Sequence, residues 1–93
     1  MCRNIKTLHN LEPPATTDEL RASALQFVRK LSGCTKPSRA NAEAFDRAVD
    51  QVTLAARELL GALVTQAPPR DRETEAAKAR ERSLRRFAPA EPA

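Results

Sequence analysis

Ninety-three residues allow one small domain with a modest core, and exclude a large enclosed active-site cavity. Sixteen basic residues against twelve acidic ones give a net charge of +4, a weak bias toward anionic partners that is far from histone-like. Trp and Tyr are absent, so any stacking platform for single-stranded nucleic acid would rest on three Phe, at least two of which read as core.

Leu, Ile, Val and Phe number 18, and 16 of them fall in residues 1–66. That distribution places a helical core domain in residues 1–66 and a charged helical tail in 67–93, which either docks on the core or stays mobile. No stretch has the length and apolarity of a membrane span, and the N-terminus has no basic region followed by an apolar run. The expected setting is cytoplasmic, with Cys2 and Cys34 as free thiols.

In chain order, Ile5, Leu8 and Leu11 are spaced i, i+3, i+6, which predicts a short N-terminal helix pressing one face on the core and ended by Pro13-Pro14. Thr16 and Glu19 have capping-box spacing, and Asp18 and Glu19 suit the positive end of a helix dipole. The helix that follows, near 17–32, carries Leu20, Ala24, Phe27, Val28 and Leu31 on one stripe, and Gly33 supplies a left-handed closing residue. Ser38 or Asn41 caps a second helix near 39–66, with Phe45, Val49, Val52, Ala56, Leu59 and Leu63 as its seam. Ala67-Pro68-Pro69 ends it. A third helix near 70–87 has seven basic and four acidic residues, and its only large apolar side chains are Leu84 and Phe87. The expected fold is all-α: an antiparallel helical hairpin with a short N-terminal helix and a charged C-terminal helix. Phe27, Val28 and Leu31 should face Phe45, Val49, Val52 and Leu59, with Ile5 and Leu8 closing the core.

The best local signal is the turn. Between Leu20 and Ala42 there are five cations (Arg21, Arg29, Lys30, Lys36 and Arg39) and no acid. Arg29, Lys30, Lys36 and Arg39 form a candidate contact surface for an acidic protein or for phosphates. A solvated face beside a helix C-terminus, where cations are stabilising anyway, is the plainer explanation. On the tail, Arg82, Arg85 and Arg86 are candidate partner contacts, opposed by Glu73, Glu75 and Glu81, which repel phosphate. The tail has a further reading, docking through Leu84 and Phe87 over the exposed Leu54.

Cys2, His9 and Cys34 each stand alone, without the paired short spacing of a metal site, so no metal or cofactor is expected. Cys34 has Lys36 and Arg39 nearby to favour a thiolate and a helix C-terminus to disfavour it; a plain half-buried Cys is the expectation. The single His has no evident partner, and Asp46 and Asp50 read as a solvated helix face, so an enzyme is not expected.

Met1-Cys2-Arg3-Asn4-Ile5-Lys6-Thr7-Leu8, Glu12-Pro13-Pro14-Ala15-Thr16, Val28-Arg29-Lys30-Leu31-Ser32-Gly33, Lys36-Pro37-Ser38 and Ala44-Phe45-Asp46-Arg47-Ala48-Val49 together resemble a small bacterial family, domain of unknown function 2277. The likeness continues through Pro68-Pro69-Arg70-Asp71-Arg72-Glu73 and implies no activity or site. A looser resemblance, over roughly Ile5 to Leu60, is to the J-domain of heat-shock co-chaperones. It rests on a leucine-bearing segment, then Pro13 and Ala15-Thr16 with Glu19-Leu20-Arg21, a basic helix, a turn and a Phe-led helix. That family carries a His-Pro-Asp tripeptide in the turn. Lys36-Pro37-Ser38 shares only the proline, so chaperone activation is not carried over. The resemblance implies a hairpin presenting a basic turn to a protein partner. The expected function is a non-enzymatic protein-interaction module whose partner is an acidic protein surface. An accessory RNA- or ribosome-binding role is the alternative, no membrane contact is expected, and self-association stays open.

Overall fold

A computed structural model describes residues 3–87, and of Phe87 the backbone alone. The described fold is all-α apart from one very short strand pair. It consists of β1 (Leu11–Glu12), α1 (Thr17–Ser32), α2 (Ala42–Ala62), β2 (Arg70–Asp71) and α3 (Arg72–Phe87). α1 and α2 pack on each other as the antiparallel hairpin. β1 and β2 pair in parallel, Leu11 opposite Arg70 and Glu12 opposite Asp71.

α1 begins and ends where local chemistry dictates. The Glu19 amide donates to Thr16 Oγ1 at 3.2 Å, and the Thr16 amide donates to Glu19 Oε1 at 2.9 Å, closing a capping box. At the other end Gly33 adopts φ +72°, and its amide reaches the Arg29 carbonyl at 2.9 Å. A residue with a Cβ is disfavoured in that left-handed conformation.

The N-terminal segment is not the expected short helix. Residues 3–10 are irregular and lead directly into β1. Their backbone groups bond α1 side chains in place of one another: the Asn4 amide donates to Gln26 Oε1 at 2.7 Å, and Ser23 Oγ donates to the Asn4 carbonyl. So short a segment gains little from an isolated helix, and these long-range partners outweigh it. Leu8 and Leu11 are buried, whereas Ile5 is 40% exposed and closes nothing. Asn10 takes φ +60°, which Asn tolerates better than most residues. It thereby turns the chain into β1.

α2 is shorter than its apolar periodicity suggests. It starts at Ala42, behind Asn41, whose side chain makes no capping bond, and it ends at Ala62, five residues before Ala67-Pro68-Pro69. Gly61 weakens its last turn. The chain after it is captured elsewhere: Asn10 Nδ2 donates to the Ala67 and Pro68 carbonyls at 3.3 and 3.0 Å, and the Arg70 amide donates to the Asn10 carbonyl at 2.7 Å.

The hairpin core is rotated from the expected seam. The buried row on α1 is Leu20, Ala24 and Val28; on α2 it is Phe45, Val49 and Thr53. Ala24, only 2% exposed, has almost no side chain and lets the helices approach closely there. Phe27, Leu31 and Leu59 are instead 45%, 76% and 58% exposed, and Val52 packs at the edge. Thr53 is admitted to the core because its hydroxyl donates back to the Val49 carbonyl at 2.7 Å, leaving its methyl to pack. A second cluster joins Leu8 and Leu11 to Leu20, Ala56 and Leu60.

The beginning of the third helical segment is fastened by two arginines. Arg70 Nη2 donates to the Thr7 and His9 carbonyls. Arg72 grips Glu19 in bidentate fashion, at 2.7 and 2.8 Å, and also donates to the Pro13 and Pro14 carbonyls at 2.6 and 2.9 Å. Tail docking through Leu84 over Leu54 is not the arrangement. Both side chains stay exposed, at 70% and 56%, and the Phe87 side chain lies outside those described. The molecule is thin, with extents of 56 × 39 × 15 Å, so most side chains keep solvent on one side.

Two outcomes follow from this packing. Phe45→Ala removes a buried ring and should cost about 3 kcal/mol in denaturant unfolding, whereas Leu31→Ala should change stability by no more than about 0.5 kcal/mol. The Glu19 carboxyl is held down from 4.5 to about 2, first by the Arg72 hydrogen bonds and then by the Thr16 amide. A carboxylate depressed in the folded state stabilises above its unfolded pKa, and that contribution is lost as pH falls through the folded value. Unfolding temperature should therefore drop as pH falls from about 4.5 to about 2. Arg72→Gln should lower it by several degrees at neutral pH and flatten its dependence over that acid range.

Candidate functional site

The hairpin leaves one apolar trough open at its tip. Phe27 and Leu31 of α1 form one wall, Phe45, Ala48 and Val52 of α2 form the other, and Pro37 and Cys34 of the connecting loop close the end; the volume is about 510 Å³. Its origin lies in a single row of α2. Ala44, Ala48, Val52, Ala56 and Leu60 follow at intervals of four and lie along one side of the helix. Leu8 and Leu11 cover the far end of this row, at Ala56 and Leu60. The near end, Ala44 to Val52, has no such cover among the described residues and lines the trough. An apolar surface left open on so small a protein is a candidate interaction site.

The tip cations surround this trough unequally. Lys36 and Arg39 are exposed on the loop that supplies Pro37. Lys30 is exposed next to Leu31. Arg29 is two residues from both Phe27 and Leu31, which at about 100° per residue puts it on the opposite side of α1. Arg21, from the same acid-free stretch, is paired with Asp50. Among the described residues, Arg29, Lys30, Lys36 and Arg39 take part in no salt bridge.

The tail cations lie elsewhere. Arg82, Arg85 and Arg86 are exposed on α3; Arg85 is paired with Glu81 at 2.6 Å. Arg82 lines a cleft against Lys6, Thr7 and Arg70, to which none of the tip cations contributes. α3 is anchored at Glu19, the N-terminal end of α1, and the tip follows the C-terminal end, about 24 Å away along a helix of 16 residues.

Cys34 is half-buried, and its amide donates to Ser32 Oγ at 3.2 Å. Cys2 lies outside the described residues. The His9 side chain lines a shallow hollow at the other end of the hairpin, so it is not brought to Cys34. Among the described residues, no three His, Cys, Asp or Glu side chains are gathered to hold a metal ion, and no helix is long and apolar enough to cross a membrane. The positioning residues that sequence reasoning missed are Asn10, Arg70 and Arg72. Two of them were visible only as members of a charged run.

Fold and surface together define a small helical-hairpin protein with an open apolar trough beside a basic loop, locked at its other end to a third helix. The chain belongs to the family described as Uncharacterized conserved protein (DUF2277), which matches residues 1–78. The matched span contains both Glu19 and Arg72 and ends within α3. No curated protein and no solved structure matches the chain.

Proposed function

We propose that the protein is a non-enzymatic interaction module whose hairpin tip receives an acidic, apolar segment of another protein. The observation that carries this reading is the juxtaposition of an uncovered apolar trough with an unpaired basic rim. Phe27 and Leu31 are 45% and 76% exposed at one wall, and Lys30, Lys36 and Arg39 stand beside it without carboxylate partners among the described residues. Large exposed apolar side chains supply binding energy when covered, and unpaired cations at a rim select and steer an acidic partner. An amphipathic helix with carboxylates along its edges meets both demands. The resemblance to the J-domain points to the same end of the molecule, a basic turn offered to a protein. Because Lys36-Pro37-Ser38 lacks the His and Asp of that family, chaperone activation is not part of the proposal.

A photo-crosslinking residue placed at Leu31 identifies the partner and the segment it contacts. The expected product is a different protein, linked through a segment rich in Asp and Glu interleaved with apolar residues. With that segment purified, Leu31→Ser and the double change Lys36→Glu with Arg39→Glu should each weaken binding at least about tenfold while helicity is kept, and added salt should weaken the wild-type complex. A crosslink to a second copy, a basic segment, or binding unmoved by those substitutions would overturn the reading.

A further inference from the structure

A second place has the makings of a site, and it is independent of the trough. The N-terminal segment and α3 enclose a cleft of about 230 Å³. That is below the roughly 300–1,000 Å³ of pockets that hold drug-sized ligands, so it suits one small group. Glu75, Ala79 and Arg82 lie on one side of α3 at i, i+4, i+7, with Ala76 between them, and all four line the cleft. Lys6 and Thr7 face them from the N-terminal segment, and Arg70 and Arg72 close the end.

Four cations meet one carboxylate there, and their commitments differ. Arg72 is taken by Glu19 and the Pro13 and Pro14 carbonyls. Arg70 uses Nη2 on two carbonyls, but its Nη1 is 3.7 Å from Glu75 Oε2, too far for a good hydrogen bond. Glu75 is equally distant from Lys78, at 3.8 Å. Lys6 and Arg82 enter no salt bridge among the described residues. Three cationic groups with donors to spare, Arg70 Nη1, Lys6 and Arg82, thus line one small cleft beside the Thr7 hydroxyl. Planar guanidinium forks and an ammonium are the groups that bind a tetrahedral oxyanion.

We propose that this cleft binds a single phosphate dianion, free or as the terminal phosphate of a small molecule, held by Lys6, Arg70 and Arg82. The small volume, and Glu73 and Glu81 along α3, favour one compact dianion over a nucleic-acid strand, whose successive phosphates would meet those acids. Glu75, which lines the cleft itself, is offset by Arg70 and Lys78 at 3.7 and 3.8 Å. The anion would bridge the N-terminal segment to α3 and so stabilise the third helix against the hairpin.

The test is an amide chemical-shift titration of the isotope-labelled full chain with inorganic phosphate at about pH 7.5, above the phosphate's second ionisation. Sodium chloride at matched ionic strength is the reference. The expected result is saturable shifts at Thr7, Arg70 and Arg82 that chloride does not reproduce, with affinity falling at least about tenfold in Lys6→Ala and in Arg82→Ala. Among the described residues neither side chain enters a salt bridge, so both variants should stay folded, and unchanged shifts at α1 and α2 amides check this. Shifts matched by chloride, or undiminished in both variants, would overturn the proposal. So would a short RNA lacking a terminal phosphate that binds in this cleft and is not displaced by phosphate. Each of these readouts is separate from partner binding at the tip.

Discussion

The Glu19 carboxylate holds two parts of the molecule at once. As the third residue of α1 it completes the capping box with Thr16, and as the partner of Arg72 it fixes the start of α3. The two roles reinforce one another. A helix N-terminus favours negative charge, and a guanidinium that fills both carboxylate oxygens favours the same ionised form. The result is a carboxyl held far below its usual range at the end of the hairpin where Arg72 attaches the third segment. Arg72 also collects the Pro13 and Pro14 carbonyls of the irregular turn before α1.

Much of the rest depends on that anchor. With Arg70 and Arg72 in place, β2 lies alongside β1, and the N-terminal segment is held between α1 and the start of α3. It can then press Leu8 and Leu11 onto Leu20, Ala56 and Leu60. Among the described residues the continuation of the same α2 row, at Ala48 and Val52, lines the open trough beside the tip. The attachment is polar rather than apolar, which is why Leu84 of α3 needs no partner on the hairpin.

What was legible in the sequence was local. Thr16 and Glu19 mark the start of α1, Gly33 marks its end, and the alanine- and charge-rich run marks α3 within two residues of its observed start. The strand pair was not legible, because Leu11 and Arg70 meet across most of the chain and two-residue strands leave no period to read. Arg72 looked like one cation among seven. Val28, Phe45 and Val49 fill the core as their spacing predicts, but each apolar stripe is wider than the contact it makes, so spacing alone does not exclude Phe27 and Leu31. Thr53 is polar by type, which hides it from apolar spacing, although its hydroxyl is satisfied within its own helix. The candidate site divides the same way. Its cations are visible as an acid-free stretch, whereas its apolar wall is hidden because helical spacing predicts Phe27 and Leu31 in the interior.

Amide hydrogen exchange at Arg70 tests the central constraint most directly. The Arg70 amide donates to the Asn10 carbonyl, a bond that exists only while the third segment is fastened to the hairpin. Slow exchange at Arg70 in the wild-type chain, lost in Glu19→Gln while the Val49 and Thr53 amides stay protected, is the result this structure predicts. An Arg70 amide that exchanges at the rate of an unstructured peptide in the wild-type protein would contradict it.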